Sequence, residues 1–285
     1  MGTRAIYNIE KVIDFIENNL NEKLELETVA NAVHYSKYHI HRMFADIVGM
    51  TIHDYVLRRQ LTEAAKLLVF SNKPIIDIAL VCGYESQQAF TVAFKAMYKL
   101  PPAEYRELQE FYPLQFAFTL QRNMNSMGFN TGDIHFATKK DIAAWLELVR
   151  LVIDGYPHLD EYDYIQKLND CIEQKQALIM KNGDTAIGII AFSYDTGSIE
   201  FFGIHPQYRK MGIAKTFLDK LMLDILPDRE ISVTTFRNGD RADTGHREAL
   251  QKLGFAEREL LVEFGYPTQR FVLSPHDREV SENEQ

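Results

Sequence analysis

Residues 209–215 combine the residue types and spacing that suit phosphate binding. The stretch consists of Arg209, Lys210, Met211, Gly212, Ile213, Ala214 and Lys215. It lies between an apolar run that predicts a strand and one that predicts a helix. Small residues at 212 and 214 keep side-chain bulk away from the main-chain N–H groups, and N–H groups at a helix N-terminus bind anions such as pyrophosphate. Taken alone, the pattern also fits an ordinary strand–loop–helix connection.

Amide side chains lie at the predicted start of a different helix, at Gln87 and Gln88. A short apolar helix is predicted before them, Gly83 indicates a turn, and Ser86 is placed where the second helix needs an N-cap. This is the layout of a helix-turn-helix DNA reader. Glutamine can also bind two atoms of adenine in the major groove. The alternative is a plain helical hairpin with a polar surface.

The chain before residue 75 repeats this arrangement. Apolar spacing predicts helices near 8–20 and 26–33, a capped turn at 34–36 and a helix at 37–48. A longer helix, predicted at 54–70, separates the two copies and would span about 25 Å. Neighbouring major-groove faces on one side of DNA lie about 34 Å apart. With the width of the flanking units, this helix could hold two reading helices about one DNA turn apart.

Residues 6–106 resemble the DNA-binding module of the AraC/XylS family, and within it the Mar/Sox/Rob type. The resemblance is carried by YSKYHIHRMF (35–44), PIIDIALVCGYESQQAFTVAFK (74–95) and PPAEYR (101–106). It implies an all-α double helix-turn-helix domain whose helices at 37–48 and 86–98 enter two adjacent major-groove segments of double-stranded DNA. The implied base-reading residues are Tyr38, His41 and Arg42 in the first helix and Gln87, Gln88 and Ala89 in the second. The implied phosphate-contacting residues are Ser36, Ser86, Thr91 and Lys95.

Four positions depart from the pattern of these relatives. Tyr38 replaces a frequent Trp, His41 a frequent Gln, Val92 a frequent basic residue and His34 a usual turn glycine. We therefore expect a different target sequence and a lower affinity. Tyr38 as a partly packed aromatic and His41 as a solvated surface residue are the structural alternatives. Histidine tolerates positive φ better than most residues do.

Bulk composition indicates a soluble protein of about two domains. The chain has 285 residues, of which 46% are hydrophobic, which is long for a single core. No apolar run approaches the length of a membrane span, and the N-terminus lacks a signal-peptide pattern, so we expect a cytoplasmic protein with no membrane partner. Cys82 and Cys171 are far apart and no metal-ligand spacing is visible, so neither a disulfide nor a metal site is expected.

The net charge of −9 argues mildly against nucleic acid as a partner. The first 110 residues contain twelve Lys and Arg against fourteen Asp and Glu. A DNA-binding domain of this composition must gather its cations on one face and its acids on another.

The chain from residue 133 onward predicts an α+β domain with a mixed, mostly antiparallel sheet. Residues 132–273 resemble the GNAT acyltransferases: SIEFFGIHPQYRKMGIAKTFLDKLM (198–222) matches their cofactor-binding motif, and HREALQKLGF (246–255) the helix that follows. The resemblance implies acetyl-CoA or another acyl-CoA as cofactor, with its pyrophosphate on the amides of 210–215. It also implies that pantetheine lies along Phe202–Ile204. A bulge or close backbone approach at Gly203 would then let a main-chain N–H polarise the thioester.

Catalysis would further require a base near the acceptor amine and an acid for the leaving thiolate. The Tyr that often serves as this acid in GNAT enzymes is Leu250 here, and the frequent pantetheine-binding Asn is Asp243. Glu200, His205 and Tyr266 are substitutes, of which Glu200 and Tyr266 are our candidate catalytic residues. Each of the three also fits a structural role. The acceptor site is expected at the 154–163 loop, whose acidic and aromatic content fits a cationic amine or simply a solvated loop.

The sequence therefore predicts a DNA-binding domain at 1–110, a docked segment and linker at 111–132, a GNAT domain at 133–275 and a flexible tail at 276–285. The function expected is a sequence-specific transcription regulator whose GNAT domain is an acyl-CoA sensor or an N-acetyltransferase. RNA polymerase and a small amine are further expected partners. One alternative is an amine or antibiotic N-acetyltransferase that regulates its own promoter. Another is a degenerate GNAT domain used only for docking or dimerisation.

Overall fold

The computed structural model describes residues 3–121, 128–152, 161–263 and 265–275. These residues divide into two compact units. The first contains 3–121 with 150–152, and the second contains 128–149 with the described residues from 161 onward. The predicted flexible tail at 276–285 lies outside the described residues.

The first unit is helical and contains two copies of a helix-turn-helix. Its seven helices are α1 (Thr3–Asn18), α2 (Leu26–Ala32), α3 (Lys37–Val48), α4 (Ile52–Phe70), α5 (Ile75–Val81), α6 (Gln87–Tyr98) and α7 (Pro102–Leu108). The predicted double helix-turn-helix is confirmed, with α3 and α6 as the second helices of the two copies. The sequence interpretation did not include α7, which Pro102 begins at a position where proline is well tolerated.

Side-chain caps explain where the main helices of this unit begin. Ser36 Oγ accepts from His39 N at the start of α3, Thr51 Oγ1 from Asp54 N at α4, and Ser86 Oγ from Ala89 N at α6. Each bond satisfies a backbone donor that has no partner within the helix. The capped ends therefore fix the first turn of both α3 and α6.

The helix α4 joins the two copies and buries polar side chains as well as apolar ones. Arg59 is 7% exposed and donates to Glu17 from α1 at 2.7 Å and to the carbonyl of Gln115 at 3.1 Å. Tyr55 donates to the same Glu17 carboxylate at 2.7 Å. Because these groups are paired, the linking helix is held to α1 by charge-assisted hydrogen bonds as well as by packing.

An extended segment at 111–121, which we call the strap, lies against α4. The N–H groups of Leu114 and Gln115 donate to Thr62 Oγ1 at 3.0 and 3.2 Å. Phe118 N donates to the Tyr55 hydroxyl, and the two rings stack with centroids 5.5 Å apart. The strap lies beyond residues 6–106, which carry the family resemblance. Its hydrogen bonds and apolar contacts to α4 are therefore additional to those of the two helix-turn-helix copies.

The second unit contains two antiparallel sheets. The first has the order β1-β2-β3-β4 and the second the order β5-β7-β6. The strands are β1 (Ile134–Phe136), β2 (Ala177–Asn182), β3 (Thr185–Phe192), β4 (Ile199–Ile204), β5 (Ile231–Phe236), β6 (Ala256–Glu263) and β7 (Tyr266–Leu273). The predicted α+β class is confirmed. The mixed character comes from a parallel bridge between Ser198 and Ser232, which links the start of β4 to β5.

Helices cover these sheets. They are α8 (Ile142–Val152), α9 (Glu161–Glu173), α10 (Ile213–Lys220) and α11 (His246–Lys252), with a π-helical turn at Leu221–Ile225 after α10. Trp145 is fully buried and donates its indole N–H to the Tyr164 hydroxyl at 2.9 Å, which joins α8 to α9. Gly188 lets α10 lie directly on β3, because a Cβ there would come within 2.4 Å of the Phe217 ring.

The bulge in β4 lies at Glu200 rather than at Gly203, so the predicted bulge position was wrong. Gly203 pairs in register with Ile189, whereas the register shifts between the pairs Ala191–Phe201 and Phe192–Ile199 and leaves Glu200 unpaired. The physical reason is that β3 and β4 stay regularly bonded up to the His205 N–H, which donates to the Ile187 carbonyl at 3.0 Å. Any close approach to a ligand at Phe202–Ile204 must therefore use the other edge of β4.

Candidate DNA-reading helices and acyl-CoA loop

The proposed base-reading residues of the first copy all lie on the exposed side of α3. Tyr38 is 80% exposed, and His41 and Arg42 are also exposed. Ile40 and Phe44 on the opposite side are fully buried. Tyr38 is therefore not a packed aromatic in this structure, although its ring lies 5.7 Å from the Lys37 ammonium.

The second copy presents its polar residues in the same way. Gln87, Gln88 and Ala89 are exposed in the first turn of α6, and Lys95 is exposed two turns later. Thr91 is half-buried, and Val92, which stands where a basic residue is frequent, is 61% exposed. The two predicted phosphate-contacting serines, Ser36 and Ser86, are exposed N-caps whose oxygens accept the bonds described above.

The two helix-turn-helix turns share one hydrogen-bonding pattern. His34 N and Tyr35 N donate to Asn31 O and Ala30 O, and Gly83 N and Tyr84 N donate to Leu80 O and Ala79 O. His34 has φ 58° and Gly83 has φ 80°. The sequence indicated a positive φ at His34, and the structure confirms it.

Local charge on α3 and α6 is more favourable for DNA than the net charge of the chain. Helix α3 contains Lys37 and Arg42 with one acid, Asp46, near its end, and α6 contains Lys95 and no acid. Two other cations of this unit, Arg58 and Arg59, are buried. The acidic excess therefore lies outside the exposed first turns of α3 and α6, apart from Glu85, which is paired with Lys23 at 3.0 Å.

The predicted phosphate loop connects β4 to α10. The chain passes from β4 through a short 3-10 turn at Pro206–Tyr208 and reaches the N-cap of α10 at Gly212, which has φ 75°. Gly212, Arg209, Lys210 and Lys215 are exposed, and among the described residues no atom beyond the two chain neighbours lies within 4 Å of a Cβ built on Gly212. The N-terminus of α10 is thus open to solvent, and Ile213 is buried beneath it.

Buried polar groups hold the start of this loop. His205 is 3% exposed, and its Nδ1 accepts from Gln207 N at 3.3 Å. Burial and the nearby Arg209 charge lower the pKa of His205 to about 4. The Tyr208 hydroxyl accepts from Asn182 Nδ2 at 3.0 Å. His205 is therefore a neutral, engaged structural group at pH 7, which fits its alternative role better than a catalytic one.

The strand register exposes one backbone edge of β4, and the sequence pattern did not reveal it. His205 N bonds to β3, so the alternation of an antiparallel pair turns the N–H and C=O groups of Phe202 and Ile204 away from β3. On that side, β5 bonds to this segment only near Ser198, where Ser232 N donates to Gly197 O at 3.0 Å. Among the described residues, β4 and β5 separate beyond this bridge. Only strand pairing in three dimensions could show this opening.

The two candidate catalytic residues lie at different levels of the second unit. Glu200 is exposed and accepts from the Ser198 hydroxyl. Tyr266 is half-buried at the start of β7, six residues from Val272, which pairs with Ser232. At about 3.3 Å per residue, Glu200 lies roughly 7 Å along β4 from the Ser198–Ser232 bridge, whereas Tyr266 lies roughly 20 Å along β7 from the same level. The structure therefore does not bring Glu200 and Tyr266 together at one atom.

Leu250 and Asp243, which stand where GNAT enzymes often have Tyr and Asn, have structural roles here. Leu250 is 8% exposed within α11. Asp243 accepts from Gly245 N at 3.0 Å and from His246 N at 2.7 Å, which caps the start of α11. Residues 154–160 of the predicted acceptor loop lie outside the described residues, while Glu161, Tyr162 and Asp163 begin α9.

No helix among the described residues is both long and apolar enough to cross a membrane.

Comparison with known proteins matches two family models. The model described as "Helix-turn-helix domain" matches residues 29–108, and the model described as "Acetyltransferase (GNAT) family" matches residues 142–255. The first match contains both proposed reading helices, and the second contains the loop at Gly212.

Curated relatives match the first part of the chain. The "Multiple antibiotic resistance protein MarA" of Escherichia coli (strain K12) is 42% identical over 105 residues, which are 37% of this chain and 82% of that protein. The "Uncharacterized HTH-type transcriptional regulator YbfP" of Bacillus subtilis (strain 168) is 44% identical over 98 residues, which are 34% of this chain and 33% of that protein. The chain therefore spans only a third of YbfP. A solved structure of a GNAT-family acetyltransferase from Bacillus cereus ATCC 10987 is similar to the chain, at 14% sequence identity and a TM-score of 0.39. The similar region covers 50% of this chain and 95% of the acetyltransferase.

Proposed function

This chain belongs to the AraC-type helix-turn-helix family of transcription regulators and has a GNAT-family acetyltransferase domain, and on that premise we propose a combined function. The first half reads two adjacent major-groove segments of double-stranded DNA. The second half binds acetyl-CoA or another acyl-CoA, which it senses or uses as an acyl donor.

One observation carries the DNA-binding proposal: a single unit presents two capped helices with their polar residues exposed. Arg42 is suited to the O6 and N7 atoms of guanine, and Gln87 and Gln88 to the N6 and N7 atoms of adenine. Tyr38, His41 and Ala89 complete the proposed base-reading set. The exposed Ser36, Ser86 and Lys95 and the half-buried Thr91 are proposed phosphate contacts.

An electrophoretic shift assay with genomic fragments tests this proposal. The assay is run at about 50 mM salt, where phosphate contacts bind most strongly, and repeated at higher salt. We expect a retarded fragment whose retention falls with salt. The absence of any retarded fragment at 50 mM salt would remove the regulator proposal.

The acyl-CoA proposal is supported by main-chain groups in two places. The amides at the start of α10, from Gly212 to Lys215, are proposed to hold the pyrophosphate, with charge added by Arg209 and Lys210. The Met211 amide is already engaged, because it donates to the Tyr208 carbonyl at 3.0 Å. The backbone of Phe202 and Ile204, which faces away from β3, is proposed to bond the pantetheine. Both groups of donors lie in one continuous segment, from residue 202 to residue 215.

Sensing and catalysis differ in turnover. Leu250 replaces the usual acid and Asp243 is engaged as a cap, which favours a sensor. The exposed Glu200 carboxylate and the Tyr266 hydroxyl favour the alternative, an amine or antibiotic N-acetyltransferase that regulates its own promoter. Thiol release from acetyl-CoA across an amine panel separates the two. Turnover near 1 s⁻¹, on the order of ordinary enzymes, would favour the enzyme, and binding without turnover the sensor.

Two further partners belong to this proposal. A small amine would be the second ligand of the GNAT domain. RNA polymerase would be the protein partner of the first half, where Ile76 and Leu80 form an exposed apolar pair on α5 at 39% and 51% exposure. Since a transcription regulator acts where the DNA is, we also propose a cytoplasmic location.

A further inference from the structure

The two helix-turn-helix copies touch at a second place besides α4, at the turn between α5 and α6. The segment that leads from α1 into α2 lies directly against Gly83. A Cβ on Gly83 would come within 2.6 Å of the Glu22 carbonyl oxygen and 2.7 Å of Gln60 Nε2. The glycine is therefore required by close approach to another backbone.

The corresponding turn of the first copy shows that conformation alone does not require glycine. His34 has the same hydrogen-bonding pattern and a positive φ, yet it carries a full, exposed side chain. Both turns thus have the left-handed geometry, and they differ in what packs against them. Only in the second copy does a neighbouring backbone occupy the position of the side chain.

A buried side chain from α4 holds the same segment. Gln60 is 8% exposed, and its Nε2 donates to Leu20 O at 3.1 Å and to Glu22 O at 2.9 Å. Both amide protons are therefore used on the segment that leads into the first copy. The linking helix and the Gly83 turn hold this segment from two directions.

A surface ion pair closes the contact. Lys23 Nζ lies 3.0 Å from Glu85 Oε1. Glu85 is the residue immediately before Ser86, the N-cap of α6. Both side chains are well exposed, and the pair raises the pKa of Lys23. An exposed pair contributes little to stability, so the buried contacts of Gln60 and Gly83 carry most of this interaction.

We propose that Gln60, Gly83 and the Lys23–Glu85 pair form a clasp that fixes the separation of α3 and α6. The clasp thereby sets the spacing of the two DNA segments that the protein accepts. A single linking helix can bend, whereas attachment at two points holds both copies at one angle. The clasp residues are positioning residues, and this inference rests on the proposed DNA-binding function for its consequence on DNA.

The first arm of the test measures the separation without DNA. Spin labels are placed at His39→Cys on α3 and Val92→Cys on α6, both exposed and outside the proposed reading set, in a Cys171→Ser background. We expect a narrow distance distribution that broadens or shifts with Gly83→His, which copies His34 of the first copy. The matched control is Gly183→His, because Gly183 has φ 62° and an added Cβ would meet no atom of the described residues within 4 Å apart from its chain neighbours. An unchanged distribution in Gly83→His would overturn the clasp.

The second arm compares DNA targets with one base pair inserted or removed between the two segments. Each inserted pair moves one segment by about 3.4 Å and turns it by about 35°, so the intact clasp should disfavour it by about ten-fold or more through lost base contacts. Gly83→His and Gln60→Leu should reduce the ratio of the affinities for the normal and the altered spacing to about three-fold or less. A ratio that stays at the wild-type value in both variants would contradict the role in spacing.

Charge reversal gives a version of the test that does not touch the buried contacts. Lys23→Glu and Glu85→Lys each break the ion pair, and the double variant restores it with reversed charges. We expect a small loss of spacing discrimination, about two-fold, in each single variant and recovery in the double variant. Equal ratios in all four proteins would show that the ion pair has no part in the clasp. If the wild-type protein retards no DNA at all, the DNA-binding proposal fails, while the spin-label arm still decides whether the clasp exists.

Discussion

The two halves of this protein would recognise their ligands with different parts of the chain. In the first half, the proposed contacts are side chains such as Arg42 and Gln87 that project from capped helices. In the second half, they are main-chain groups at 202, 204 and 212–215, and the side chains there are mostly apolar or small. A side-chain site changes its specificity with single substitutions, whereas a main-chain site changes only when the backbone itself is disturbed.

The largest expected effect concerns the scaffold that presents the side-chain site. Arg59→Met leaves the Glu17 carboxylate, 20% exposed, without its buried cation. Removing one partner of a buried pair costs about 3–5 kcal/mol, so we expect the first half to unfold at lower denaturant concentration. Acyl-CoA binding by the second half should not change. Glu63→Gln, which removes the more exposed partner of Arg59, should cost less than about 1 kcal/mol. Equal losses in the two variants would contradict this description of the network.

The next effect is confined to the second half and depends on pH. The pKa of His205 is about 4 in the folded chain and near 6.5 when unfolded. As the pH falls from 6.5 to 4, the unfolded chain therefore takes up a proton that the folded chain does not. This lowers the free energy of unfolding by up to about 3 kcal/mol, with no loss above pH 6.5. Denaturant titrations at pH 7 and pH 4 should show this loss in the wild type and a smaller one in His205→Asn, whose side-chain oxygen can still accept from Gln207 N. An identical pH profile in the two proteins would exclude His205 as the source.

A backbone change should break the main-chain site. Gly212→Val puts a branched side chain at φ 75°, a conformation that costs about 1–3 kcal/mol and that the loop would relieve by moving. We expect coenzyme A affinity to fall about ten-fold or more in a calorimetric titration. Gly239→Val is the matched control, because Gly239 has φ 73° and equally open surroundings in the same unit. Similar losses in both variants would indicate general strain rather than a ligand site at Gly212.

A side-chain substitution in α3 should alter DNA binding without changing the proposed acyl-CoA site. Arg42→Ala should cost about 1–3 kcal/mol of DNA affinity and relax specificity at one position of one segment. Competition binding with targets substituted base by base measures both effects. Arg241→Ala, an exposed arginine of the second half, should bind DNA as the wild type does. A uniform loss across all target sequences would assign Arg42 to a phosphate contact instead.

The same contrast explains how much the sequence could predict. Side-chain sites leave a local signal: the apolar face of α3, the N-caps Ser36 and Ser86 and the exposed residues beside them follow from helical periodicity. The loop at Gly212 was also visible, because a glycine before a helix is a local feature. The bulge at Glu200 was missed because it depends on how β3 pairs with β4. The contact at Gly83 was likewise hidden, because glycine in a turn is already explained by its φ.

The most direct test of the central claim is a calorimetric titration of acetyl-CoA into the full chain and into two variants. We expect one-site binding heat for the wild type, the same heat for Arg42→Ala and strongly reduced heat for Gly212→Val. This pattern would support a main-chain acyl-CoA site that is separate from the side chains proposed to read DNA. Absence of heat with the wild type, or full heat with Gly212→Val, would contradict it.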